Sequence, residues 1–200
     1  ILTTGSHFDH ASADGDESQV AFYLPPQRRL SSLDALLTGP TAGDPLQIAR
    51  QFLDGHAAEL GLSSTDLANF VVSDRYTDEP SGITHIYLRQ TYGGLEVMNA
   101  DLSIGISGQG EVISVASSFV GDARTVDALQ PQPFVSAPQA YAALSGALGL
   151  ELRTAPQVVS VDGRSPDSAT VLAASGVARG DVPAKLVYVP TAAALALSWR

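Results

Sequence analysis

Residues 84–120 constrain this chain more than any other stretch. From Thr84 to Val120 the sequence reads as three strands joined by two glycine turns. Ile86, Leu88 and Tyr92 share one face of the first strand, and Gly93-Gly94 is a two-residue hairpin signal. Met98, Ala100, Leu102, Ile104 and Ile106 alternate on the predicted buried side of the second strand. Gly108-Gln109-Gly110 turns the chain again, and residues 111–120 form the third strand. A meander with one apolar face has to bury it against another layer.

The layer is predicted just upstream. Asp44 is placed to cap a helix, Pro45 suits its first position, and Gln47 sits where a capping box takes an amide. Ala49, Phe52, Leu53, Ala57 and Leu60 fall on one helical face, with Gly61 as the stop, and Gly55 inside the helix costs about 1 kcal/mol against alanine, so close packing is expected there. Phe70–Tyr76 reads as a further strand, and residues 1–43 as irregular, with a short strand at Val20–Leu24 and one or two helical turns at Ser31–Leu37. The expected class is α+β, with an antiparallel sheet curled round one helix.

The pattern then restarts. Residues 121–135 form a linker ending in Gln130-Pro131-Gln132-Pro133. Ser136-Ala137-Pro138-Gln139 repeats the capping logic, Tyr141, Leu144, Ala147 and Leu148 are apolar at helical spacing, and Leu148-Gly149-Leu150 ends this helix as Leu60-Gly61-Leu62 ends the first. A strand is predicted at Pro156–Val161 and a hairpin at Lys185–Val189 and Leu195–Trp199. The expected organisation is therefore 1–43 irregular, 44–120 helix plus meander, 121–135 linker, and 136–200 a second, looser helix-plus-hairpin unit. That second sheet is expected to be incomplete at Arg200, with its missing strands in a longer precursor cut at Arg200, a residue suited to trypsin-like processing.

Composition narrows the function. Ten arginines and one lysine against 21 acidic residues leave a net charge of -10, so a basic nucleic-acid footprint is absent. With no cysteine, disulfides, thiolate zinc sites and cysteine nucleophiles are excluded. No apolar run reaches the roughly 18 residues of a membrane span.

The chemistry-bearing residues do not assemble. His7 and His10 with Asp9 between them could ligate a metal if a third ligand approached, but they read better as an exposed acidic tail, as do Asp14, Asp16 and Glu17. His56 and His85 read as boundary or surface groups. There is no H-E-x-x-H, no G-x-S-x-G and no phosphate loop after a strand. The chain reads as a non-enzyme. Asn99 and Asp101 stand on the polar face of an apolar strand, either contacting a partner or fixing a bulge within the domain.

The same run resembles the fungalysin/thermolysin propeptide motif through His85, Tyr87, Gln90, Tyr92, Gly94, Leu95, Val97, Asn99, Ala100, Asp101 and Leu102, followed by Glu111-Val112-Ile113-Ser114-Val115. Asn99-Ala100-Asp101, where the thermolysin branch tends to have Gly-Gly-Asp, and Ser117-Ser118-Phe119-Val120 are similar to the fungalysin branch. The resemblance implies a prosegment built as two cystatin-like units. It would inhibit, and assist the folding of, a secreted zinc metallopeptidase catalytic domain encoded downstream. Zinc would belong to that partner domain, with no cofactor in this chain, and any signal peptide would be removed ahead of it. Expected partners are the cognate catalytic domain, and neither nucleic acid nor membrane. His85, Tyr87, Gln90, Gly94, Val97, Asn99, Ala100 and Asp101 would be structural anchors, and the strand face and its loops the contact surface. The alternative is a free-standing cystatin-like protease inhibitor or binding module.

Overall fold

Asp44 begins the first helix as its side chain accepts from the backbone N–H of Leu46 (2.9 Å) and Gln47 (3.3 Å). Helix α1 (Pro45–Gly55) buries Ile48, Ala49, Phe52 and Leu53. It stops at Gly55, six residues before the expected glycine. The close packing expected at Gly55 is not found, since a Cβ there would meet nothing within 4 Å; glycine ends the helix because it loses the most backbone freedom. His56 then closes the end: its ring stacks on Phe52 at 4.0 Å, and its Nδ1 lies 2.9 Å from the Phe52 carbonyl. The expected face continues through the following turns, where Leu60 is fully buried and Ala57 packs against the core.

The computed structural model describes residues 24–31, 36–121, 135–191 and 195–200. His7, Asp9, His10, Asp14, Asp16, Glu17, most of the Val20–Leu24 strand, residues 32–35 and most of the 121–135 linker lie outside them.

After a short α2 (Ser64–Ala68), capped reciprocally by Ser63 and Asp66, the chain forms the meander. Strands β2 (Phe70–Asp78), β3 (Ile83–Tyr92), β4 (Leu95–Ile106) and β5 (Val112–Ser117) pair antiparallel in sequence order. Beyond β5 lies β1 (Arg28–Ser31), antiparallel to it, so the order is β1-β5-β4-β3-β2. Neither α2 nor β1 is anticipated from sequence. Helix α1 covers one face, joining Ile86, Leu88, Leu102, Ile104, Ile106, Val112 and Val115 in the main core. That face is filled and is not open to a partner.

The second half opens with α3 (Ala137–Ala147), whose cap is the expected box: Gln139 Oε1 accepts from Ser136 N–H at 2.8 Å. A three-stranded antiparallel sheet follows, β6 (Val158–Val161), β7 (Thr170–Leu172) and β8 (Val182–Ala184), ordered β6-β7-β8. The hairpin of β9 (Leu186–Pro190) and β10 (Leu195–Trp199) forms as expected. It does not build a sheet of its own with β6. Instead β9 runs parallel to the start of β4, with Val97 opposite Tyr188. Leu95, Val97, Ala100, Leu186, Tyr188 and Leu195 make a second, smaller core there. The architecture is mixed α+β with a curled, antiparallel-rich sheet and few helices.

Candidate functional site

The motif residues converge where β4 changes neighbours. Its second half pairs with β5 and its first half with β9. Between them the strand slips phase. Leu95 and Val97 face inward, then Ala100, Leu102, Ile104 and Ile106 do so. Met98, expected on the buried side, is only half-buried, and Val97 is fully buried instead.

Asn99 causes the slip. Its φ of 58° lies in the left-handed region, which asparagine and glycine tolerate better than other residues. That requirement explains an Asn at a place where the thermolysin branch tends to have Gly. The β3–β4 register jumps at the same point, from Arg89 opposite Asp101 to Thr91 opposite Glu96. Gln90 alone therefore faces residues 97–100.

Two side chains hold this bulge. Gln90 is fully buried on the inward face beside Ile86 and Leu88. Its Oε1 accepts from the Val120 N–H at 2.8 Å, and its Nε2 donates to the Val120 carbonyl at 2.9 Å. The amide thus stands in for one rung of a strand and ties down the chain as it leaves β5. Ser118 works from the other side. Its hydroxyl accepts from the Asp101 N–H (3.0 Å) and donates to the Asn99 carbonyl (2.8 Å), while its own N–H donates to the Asp101 carbonyl (2.8 Å). Ala100 is completely buried between these ties.

The Asp101 carboxylate points outward and accepts from Arg89 Nε at 3.0 Å. Near it, His85 stacks on Tyr76 (5.0 Å between ring centres), with Tyr87 6.2 Å from the same ring. A hydrogen bond to Tyr87, aided by burial and by the charges of Asp74 and Asp78, raises the Tyr76 pKa. Tyr76 therefore stays protonated at neutral pH and offers surface, not a base. An open cleft of about 510 Å³ beside it is lined by Leu24, Pro25, Tyr87, Asn99, Asp101 and Ser118. Gly94 (φ 82°) closes the β3–β4 turn, and a Cβ there would press on Pro166 at 3.1 Å, so the turn packs against the second half.

Arg200 follows β10, paired with Lys185 beside β9. Its backbone exchanges two 2.9 Å hydrogen bonds with Lys185, and its guanidinium lies 3.7 Å from Glu96. Glu96 also meets Lys185 at 3.0 Å and Arg89 at 3.8 Å, so one carboxylate links β3, β4 and the hairpin. Sequence reasoning gave no role to Ser118, Arg89 or Glu96. Ser118 belongs to the quoted Ser117-Ser118 ending, but its partners are 17 to 19 residues away.

Among the described residues no group of three or more His, Asp or Glu side chains is placed to hold a metal. None of the helices formed by those residues is long and apolar enough to cross a membrane. The arrangement is a backbone lock made of amide, hydroxyl and ion-pair contacts.

The Fungalysin/Thermolysin Propeptide Motif matches residues 68–119, which contain the whole bulge. The chain is 34% identical over 146 residues to Extracellular metalloproteinase 1 of Phaeosphaeria nodorum, covering 72% of this chain and 23% of that protein. It is 33% identical over 132 residues to Probable extracellular metalloproteinase 5 of Trichophyton verrucosum, covering 65% and 20%. It is 27% identical over 173 residues to Extracellular metalloproteinase mep of Aspergillus fumigatus, covering 86% and 27%. The chain thus spans about a quarter of the length of the curated relatives it matches. The motif, and relatives that share most of this chain along a fraction of their own length, make it a non-catalytic pro-region belonging to the fungalysin-type propeptides.

Proposed function

We propose that this chain is the prosegment of a secreted zinc metallopeptidase precursor, holding the catalytic domain inactive and assisting its folding until it is cut away. The observation that carries the reading is the propeptide motif at 68–119, whose residues build a rigid framework rather than a reactive centre. A large complementary surface suffices to block a peptidase cleft, since specific interfaces bury about 1,600 Å² without any reactive group. Binding that is confined to the folded catalytic domain also stabilises it by mass action, which is how inhibition and folding assistance share one set of contacts. The zinc belongs to the partner domain.

The finer architectural reading is two cystatin-like units, at 44–120 and 136–200. The repeated order along the chain, α1 before β2–β5 and α3 before β6–β10, supports that division. His85, Tyr87, Gln90, Gly94, Val97, Asn99, Ala100 and Asp101 then act as anchors of the first unit, not as inhibitory contacts.

The test is expression of the precursor with and without residues 1–200, followed by addition of the separate chain to the mature peptidase. Active enzyme is expected only from the precursor that carries the segment, and the added chain should inhibit stoichiometrically. Full activity from the truncated precursor, with no inhibition by the added chain, would sink the reading.

A further inference from the structure

Helix α3 carries its apolar residues on the wrong side for a helix that belongs only to this chain. The spacing of Tyr141, Leu144, Ala147 and Leu148 marks a core face. Yet the buried residues of α3 are Ala137 and Ser145, and Leu144 and Leu148 are 59% and 64% exposed. Of that face only Tyr141 is held, half-buried and donating its hydroxyl to the Ala174 carbonyl at 3.0 Å just beyond β7, while the other attachments are the buried Ala137 and Ser145.

The strand paired with β7 behaves alike. β6 is an edge of its sheet, every one of its residues is exposed, and Val158, Val159 and Val161 are each about half exposed. Seven of the twelve large apolar side chains exposed among the described residues fall between 135 and 161. An apolar edge strand left open invites pairing with whatever is near, and proteins ordinarily blunt such edges with charge or proline. β6 has neither.

We propose that this α3–β6 face is the surface through which the prosegment grips the peptidase domain of its own precursor. The inference rests on the prosegment reading above and adds the location of the contact. The occupant is argued from length and charge. The relatives carry roughly three quarters of their length outside the region they share with this chain. A domain joined in the same polypeptide meets the face at high effective concentration. A second copy of this chain is disfavoured, because each copy carries a net charge of -10. The face that α1 covers is not available, since its side chains are buried in the main core.

The test compares the 200-residue chain with its Leu144→Gln/Leu148→Gln and Val159→Lys variants as inhibitors of the mature peptidase recovered from the processed precursor. A Val71→Gln/Val72→Gln variant is the control, as those side chains are also exposed but lie on β2. The paired leucine change is expected to raise Ki about 100-fold, roughly tenfold for each anchor lost. Val159→Lys should raise it about tenfold, and the β2 control should match wild type. The Tm of the free chain should be the same for all four. Equal inhibition by the α3 variant and wild type overturns the proposal while leaving the prosegment reading intact. A lowered Tm for the α3 variant also overturns it, because the chain would then cover that face itself. So does a concentration-dependent dimer that the leucine change abolishes, because the occupant would be a second copy. Failure of the wild-type chain to inhibit removes the prosegment reading, and this surface with it.

Discussion

Helices α1 and α3 are each eleven residues long, each has a proline in its first turn and each starts at a satisfied cap, yet they use their apolar faces in opposite ways. α1 buries Ile48, Ala49, Phe52 and Leu53 against the meander. α3 buries Ala137 and Ser145 and turns Leu144 and Leu148 outward. Apolar spacing therefore marks a face suited to packing but does not say whether this chain covers it. In the first half the cover is local, because β2 to β5 follow α1 directly. In the second half the hairpin that could have covered α3 is drawn away to β4 instead.

The sharpest way to break this contrast is to truncate a leucine on α1. Leu53 is 1% exposed in the main core. Leu53→Ala should cost about 3 kcal/mol or more, combining lost transfer energy with an unfilled cavity. Urea denaturation of the chain measures it, and a loss below about 1 kcal/mol would mean that α1 is no better seated than α3.

Gln90 is the next largest. Gln90→Leu keeps the volume but leaves both backbone groups of Val120 without their partner. The expected loss is about 2 kcal/mol, since each stranded buried group costs on the order of 1 kcal/mol or more. A faster hydrogen exchange at the Val120 amide should accompany it. An unchanged exchange rate there would show that the amide does not hold the exit of β5.

Asn99 separates geometry from side-chain chemistry. Its φ of 58° strains a β-branched residue, so Asn99→Val should cost about 1–2 kcal/mol, whereas Asn99→Gly should be close to neutral. Equal losses for the two variants would point to the asparagine side chain rather than the backbone. The same denaturation series reads both.

These residues also mark how far the sequence could be read. The start of α1, both ends of β3 and β4, the caps of α3 and the β9–β10 hairpin were legible because their signals are local: a capping side chain, Gly93-Gly94, strict alternation. The end of α1 at Gly55 was not legible: the stop was expected at Gly61, and the stacking of His56 on Phe52 completes the earlier one. The attachment of β1 to β5 and of β9 to β4 was not legible, because strand partners are chosen by tertiary fit across long separations. The phase slip at Asn99 falls between these cases. Gln90, a polar residue at an inward position of an apolar strand, was its visible sign, and Val120 lies 30 residues away.

The two caps differ in charge, and pH reads that difference. The Arg75 side chain, 2.7 Å from Asp44, leads in holding the Asp44 carboxyl below its ordinary value, and the Leu46 and Gln47 amides add to it. A folded pKa below the unfolded one gives stability that is present above about pH 4 and is lost as pH falls through the lowered value. The Ser136–Gln139 box of α3 has no such group. Acid should therefore loosen α1 and leave the cap of α3 alone. Asp44→Asn keeps a capping oxygen and removes the titration, so its Tm should fall less steeply than that of wild type below about pH 4. Parallel Tm curves for the two proteins would remove Asp44 from the acid response.

The smallest effect is expected at Leu148, and its smallness carries the argument. The truncation is the same as at Leu53, here at the C-cap of a helix of the same length. Leu148 is 64% exposed and has little contact to lose. Leu148→Ala should therefore change the stability of the free chain by less than about 0.5 kcal/mol. The measurement is the urea midpoint of the free chain beside that of Leu53→Ala. A loss at Leu148 approaching the one at Leu53 would mean that α3 is packed within this chain, and the contrast between the two helices would collapse. A difference of several-fold means that the apolar side of α3 contributes little to the fold it sits on, as the docking role proposed for that face requires.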